Sequence, residues 1–103
     1  LAVLEISVVP LGTHDTSLSG KLAGIPKVLR ESGLRYEIHP MGSVVEGPTE
    51  ELFSLAARLH QAVFERGARR VSTHFVLDDR RDVVRPMEEK VRSLMASSEE
   101  AGP

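Results

Sequence analysis

Two periodicities alternate along this chain, and their order restricts the fold more than any other feature. Ala2 to Leu11 is aliphatic and β-branched with period two. Leu4, Ile6 and Val8 fall on one face, and Glu5, Ser7 and Val9 on the other. Pro10 has no amide to donate, so pairing on its side is expected to stop there. Leu18, Leu22, Ile25 and Leu29 then recur at helical spacing, with Ser17 as candidate N-cap and Gly33 as C′ residue. Gly20, Gly24 and Pro26 weaken this helix. Pro26 is expected to kink it, or to confine its regular part to the stretch after Gly24.

Period two returns from Arg35 to Met41, with Tyr36 and Ile38 opposite Glu37, His39 and Met41. Ser43 to Glu46 is a second short strand. Pro40 and Gly42 between them suggest a bent hairpin or a bulge rather than a regular two-residue turn. Thr49 is expected to cap the next helix, with Glu50 and Glu51 in its first turn. Leu52, Leu55, Ala56, Leu59 and Val63 form its apolar stripe, and Gly67 ends it. From Arg69 to Leu77, Val71, Thr73, Phe75 and Leu77 alternate with Arg70, Ser72, His74 and Val76. Asp78 to Asp82 reads as a charged loop. A last helix is expected from Pro86 to about Ala96, with Met87, Val91 and Leu94 on one face. Ser97 to Pro103 reads as a frayed tail.

The order β-α-β-β-α-β with an added C-terminal helix predicts one α+β domain over residues 1–103, a ferredoxin-like sandwich. Two helices would cover one face of a four-stranded antiparallel sheet. The other face would carry Glu5, Ser7, Val9, Glu37, His39, Met41, Ser72, His74 and Val76, with no helix over it. Such a face either meets water or packs on a second copy and encloses a polar site.

Composition removes several function classes. The 103 residues carry a formal charge of −2, no cysteine, no tryptophan and only 4% aromatics. Nucleic acid is therefore not an expected partner, since neither phosphate attraction nor base stacking is supplied. Disulfides, zinc ribbons and thiol chemistry are excluded. The apolar runs are too short to span a bilayer and no basic region precedes the first, so the cytoplasm is the expected compartment. His39, His74, Glu5 and Glu37 come from separate strands without a local ligand motif, so no metal is expected. No G-x-S-x-G elbow occurs, and Gly12-Thr13 lacks a phosphate-loop pattern.

Several strings resemble the small thiamine-binding protein family. They are EISVVPLGT from Glu5 to Thr13, GLRYEIHPMGSVVEG from Gly33 to Gly47, and GARRV from Gly67 to Val71. The Asp79-Arg80-Arg81 turn and MEEKV from Met87 to Val91 follow in the same order. The first helix departs from the pattern at Gly20, Gly24 and Pro26. The resemblance implies a ferredoxin-like fold and assembly through sheet faces and edges, with a homotetramer expected. It also implies binding of thiamine or its hydroxymethylpyrimidine part, with no catalytic reaction and no cofactor.

Thiamine suits the polar face chemically. Its aminopyrimidine presents a donor and ring-nitrogen acceptors, which Ser7, Ser43, His39 and backbone near Gly42 can complement. Glu5 or Glu37 could compensate the thiazolium charge, and Met41 and Val9 could contact ring faces. Glu5, Ser7, Val9, His39, Met41, Gly42, Ser43 and His74 are thus the candidate ligand-binding residues, converging between sheets of neighbouring subunits. Two other functions remain open at this point: an oligomeric regulatory or assembly module without a dedicated ligand, and a small enzyme acting on a heterocycle.

Overall fold

The computed structural model describes residues 1–12, 18–82 and 87–101. Eight elements follow in chain order: β1 (Ala2–Pro10), α1 (Leu18–Leu22), α2 (Ile25–Glu31), β2 (Arg35–His39), β3 (Gly42–Gly47), α3 (Thr49–Glu65), β4 (Val71–Asp79) and α4 (Met87–Ala101). The strands form one sheet in the order β2-β3-β1-β4, with every neighbouring pair antiparallel. This is the predicted α+β ferredoxin-like arrangement with its added C-terminal helix. No helix of the described residues is long and apolar enough to cross a membrane.

Strand parity follows the alternation in the sequence. Leu4 stands opposite Val45 and Leu77, and Ile6 opposite Ser43 and Phe75, so these side chains share the helix-covered face. Leu52, Leu55, Leu59 and Val63 of α3 pack on that face at 1% exposure or less. Burying each contributes roughly 1.5–3 kcal/mol, which makes α3 the main anchor of the helical layer. Phe75 lies on the same face of the edge strand β4. It stays half-exposed and meets Phe53 edge-on, with ring centroids 6.1 Å apart.

The structure corrects several local expectations. The first helical stretch is two helices, because α2 begins afresh with Gly24 as its N-cap and Pro26 in its first turn. Proline is tolerated there because first-turn amides have no intrahelical partner. Ser17 and Pro86 lie outside the described residues. Residues 40 and 41 form a tight two-residue turn rather than a bulge, since His39 pairs directly with Gly42. Proline's fixed φ suits the first central position of such a turn.

Thr49 does not cap α3. Pro48 occupies the N-cap without a side-chain bond, and the Thr49 hydroxyl donates instead to Asp79 Oδ2 at 2.9 Å. β4 begins at Val71 and takes in Asp78 and Asp79, because both pair with the start of β1. The last helix continues to Ala101, past the expected tail boundary at Ser97.

The second sheet face is not wholly free of helix. Glu46, Val3, Asp78 and Arg35 share a cross-strand row on that face. The first turn of α4 sits on this row. The Met87 amide donates to Glu46 Oε2 at 3.1 Å, while Lys90 pairs with Asp78 and Glu88 with Arg35. Met87 is buried there, whereas Val91, Leu94 and Met95 further along α4 are exposed. The expected amphipathic stripe of α4 therefore packs within the chain only at its first residue.

Candidate functional site

The site arises from unequal strand lengths. β1 runs for 9 residues and pairs with β4 along its whole length, but with β3 only from Ala2 to Ile6. The β2–β3 hairpin turns back at Pro40 and Met41. Beyond Ile6, one edge of β1 has no strand beside it among the described residues, and the sheet carries a notch. A strand edge exposes backbone donors and acceptors that need partners.

A cleft of about 390 Å³ fills this notch and continues beneath the sheet. One wall is the free edge of β1, Ser7 to Pro10, and the other is the hairpin tip from Ile38 to Ser43. Successive strand residues point to opposite faces, so a cleft touching Ser7, Val8, Val9 and Pro10 in succession follows the strand edge. Leu22, Ile25 and Pro26, flanking the α1–α2 break, and Leu59 of α3 close it on the helix side. Its size is at the small end of ligand pockets, and its lining is apolar with few polar groups.

The close approach at the notch depends on glycine. Gly42 has φ +151°, and a Cβ there would lie 2.6 Å from the Ile6 carbonyl oxygen. Any side chain at residue 42 would push the hairpin away from β1.

Ser43 is the principal polar group of the interior. It lies on the helix-covered face opposite Ile6 and Ile38 and is only 6% exposed. It lines the cleft, and among the described residues nothing hydrogen-bonds to its hydroxyl. The hydroxyl itself is not sealed from the cleft, so it is placed to bond a ligand group there. At the rim, His39 Nε2–H donates to Glu37 Oε2 at 3.1 Å. His39 is the only titratable side chain among the described lining residues.

Of the residues expected from the sequence, Ser7, Val9, His39, Met41, Gly42 and Ser43 line this cleft. Glu5 and His74 do not. Glu5 stands between Val44 and Val76 within the open sheet face. His74 lies on the edge strand, 3.0 Å from the Ser72 hydroxyl. Leu22, Ile25, Pro26, Ile38 and Leu59 are lining residues that strand parity could not find, because they belong to the helix side. The Gly24–Pro26 break was the available hint. Among the described residues no group of acidic or imidazole side chains could hold a metal ion.

The strongest electrostatic perturbations lie at the other end of the sheet. Hydrogen bonds from Arg81 and then Thr49 hold the Asp79 carboxyl below its ordinary value. The same contact with Asp79 raises Arg81, and Asp82 raises Arg80. These pairs fix the end of β4 and the start of α3, remote from the notch.

Comparison with known proteins agrees with this fold. A UPF0045 protein of Methanothermobacter thermautotrophicus is 41% identical over 91 residues, covering 87% of this chain and 92% of its own. One from Bacillus subtilis is 33% identical over 98 residues, covering 91% and 94%. The crystal structure of a candidate thiamine biosynthesis/salvage protein from Thermotoga maritima superposes with a TM-score of 0.76 at 26% identity, covering 90% of this chain and 97% of that one. The family model for thiamine-binding proteins matches residues 4–95, and the chain belongs to that family.

Proposed function

We propose that this protein binds thiamine, or the aminopyrimidine part of it, in the notch between β1 and the β2–β3 hairpin, without turning it over. The observation that carries this reading is the Ser43 hydroxyl, without a hydrogen-bond partner among the described residues and open to an apolar cleft bordered by free strand edge. An aminopyrimidine is flat, has apolar faces and presents donors and acceptors along one edge. It would stack between aliphatic side chains while its edge bonds Ser43 and the β1 backbone. The cleft's described lining offers no paired nucleophile and base, which favours binding over catalysis. Calorimetric titration with thiamine and with hydroxymethylpyrimidine tests the reading. Saturable one-site heat with either supports it, and the absence of heat from both would overturn it.

The second reading concerns assembly. Val9 and Val76 are exposed on the open sheet face, Val76 at 67%, and Val91, Leu94 and Met95 are exposed on α4. A closed homo-oligomer, with the tetramer as its expected form, would bury these apolar groups. A monomer in light scattering at micromolar concentration would contradict it.

A further inference from the structure

Resting on the reading that the notch takes a thiamine-class heterocycle, we propose that Glu5 and Glu37 form a charge filter at its open-face mouth. The filter admits a ligand whose protruding end is cationic and disfavours one ending in a phosphate.

Placement carries the inference. Ser7 and His39 form the rim of the notch on the open face. Glu5 precedes Ser7 by two positions on β1, and Glu37 precedes His39 by two on β2, so each carboxylate is the same-face neighbour of a rim residue. Both strands pair with Val44, which sets the two carboxylates in one row, Glu37–Val44–Glu5. Two strand spacings separate them, roughly 10 Å. Both are exposed.

The deep end has the opposite character. Its polar side chain is the neutral Ser43 hydroxyl, and no lysine, arginine or carboxylate is among the described lining residues. A ring seated on Ser43 therefore sends its remaining substituent out past the rim, toward the carboxylate row. A thiazolium there is attracted by both carboxylates, and a phosphate ester is repelled by them.

Among the described residues, the cationic side chains of the open face lie away from this row or are already paired. Arg35 and Lys90 pair with Glu88 and Asp78 at the far end of the face. Arg70 precedes β4, which lies on the other side of β1 from the notch. His39 is bonded to Glu37, and His74 to Ser72.

The test is calorimetric titration with thiamine, thiamine monophosphate, thiamine diphosphate and hydroxymethylpyrimidine. It is run at low and high salt on the wild-type protein and on a Glu5→Gln/Glu37→Gln double variant checked for folding by circular dichroism. The wild type is expected to bind thiamine about tenfold more tightly than either ester at low salt, and salt should shrink that ratio. In the double variant the ratio should fall toward one, with the uncharged pyrimidine binding as before. Esters binding the wild type as tightly as thiamine at low salt would overturn the filter and leave the binding function standing. So would a ratio that survives in the folded double variant. Failure of all four compounds to bind would overturn the functional reading itself. Should the variant not fold, the salt dependence of the wild-type ratio decides.

Discussion

Gly42 and Ile6 are in such close approach that a Cβ on residue 42 would stand 2.6 Å from the Ile6 carbonyl oxygen. This contact seats the hairpin tip against β1 at the point where their pairing ends and the notch opens. Gly42→Ala is expected to cost about 2 kcal/mol or more, from strain at a positive φ together with a backbone collision. Urea unfolding measures the loss. Ligand affinity should fall as well, because the hairpin wall of the cleft must move.

Ser43 separates stability from function. Its hydroxyl has no hydrogen-bond partner among the described residues and opens on the cleft, so Ser43→Ala should change stability by no more than about 0.5 kcal/mol. The same substitution should weaken binding of thiamine or its pyrimidine by about 0.5–1.5 kcal/mol, the net worth of one hydrogen bond. Thermal unfolding and titration on one preparation check both halves.

Glu46 holds the start of α4 through the Met87 amide. A carboxylate at a helix N-terminus is favoured by the helix dipole, and a neutral amide is a weaker acceptor. Glu46→Gln should cost about 1 kcal/mol. Backbone amides of the first turn of α4 should then exchange faster with solvent, while those of α3 stay as protected as before.

Asp79 gives the expected acid response. Its carboxyl is held below the ordinary 3.8, first by the hydrogen bond from Arg81 and then by that from Thr49. A depressed carboxyl contributes stability above its unfolded value and loses it as pH falls through its folded value. Asp79→Asn should therefore differ from wild type at pH 6, and the difference should shrink as pH falls below the ordinary carboxyl value of 3.8. Acid titration followed by circular dichroism on both proteins tests this. A stability gap that does not shrink as pH falls through the acid range would refute it.

The sheet was legible in the sequence because alternation is a local signal. Leu4, Ile6 and Val8 against Glu5, Ser7 and Val9 set the faces of β1, and the structure keeps that assignment. The helix stripe from Leu52 to Val63 is likewise buried along its length. What local signals could not supply was long-range. Thr49 reads as a cap from its neighbours, but its hydroxyl bonds Asp79, a residue far along the chain. The docking of Met87 on Glu46 depends on two segments whose meeting no periodicity records.

The notch has the same origin. Six candidate residues, Ser7, Val9, His39, Met41, Gly42 and Ser43, reach it because they flank the place where β3 stops short of β1. Parity groups Ser7, Val9, His39 and Met41 with Glu5 and His74 on the open face, whereas Gly42 and Ser43 belong to the bend. The notch opens through the sheet to the helix side, which is why Leu22, Ile25 and Leu59 belong to it. Relative strand length decides this, and a single sequence shows it only after the register is known.

Mapping backbone amide chemical shifts while thiamine is added shows whether the notch holds the ligand. Saturable shifts are expected at Ser7 to Val9, at His39 and Met41 to Ser43, and near Leu22 and Ile25. Shifts confined to the open face around Glu5, His74 and Val76, or no saturable shifts, would contradict it.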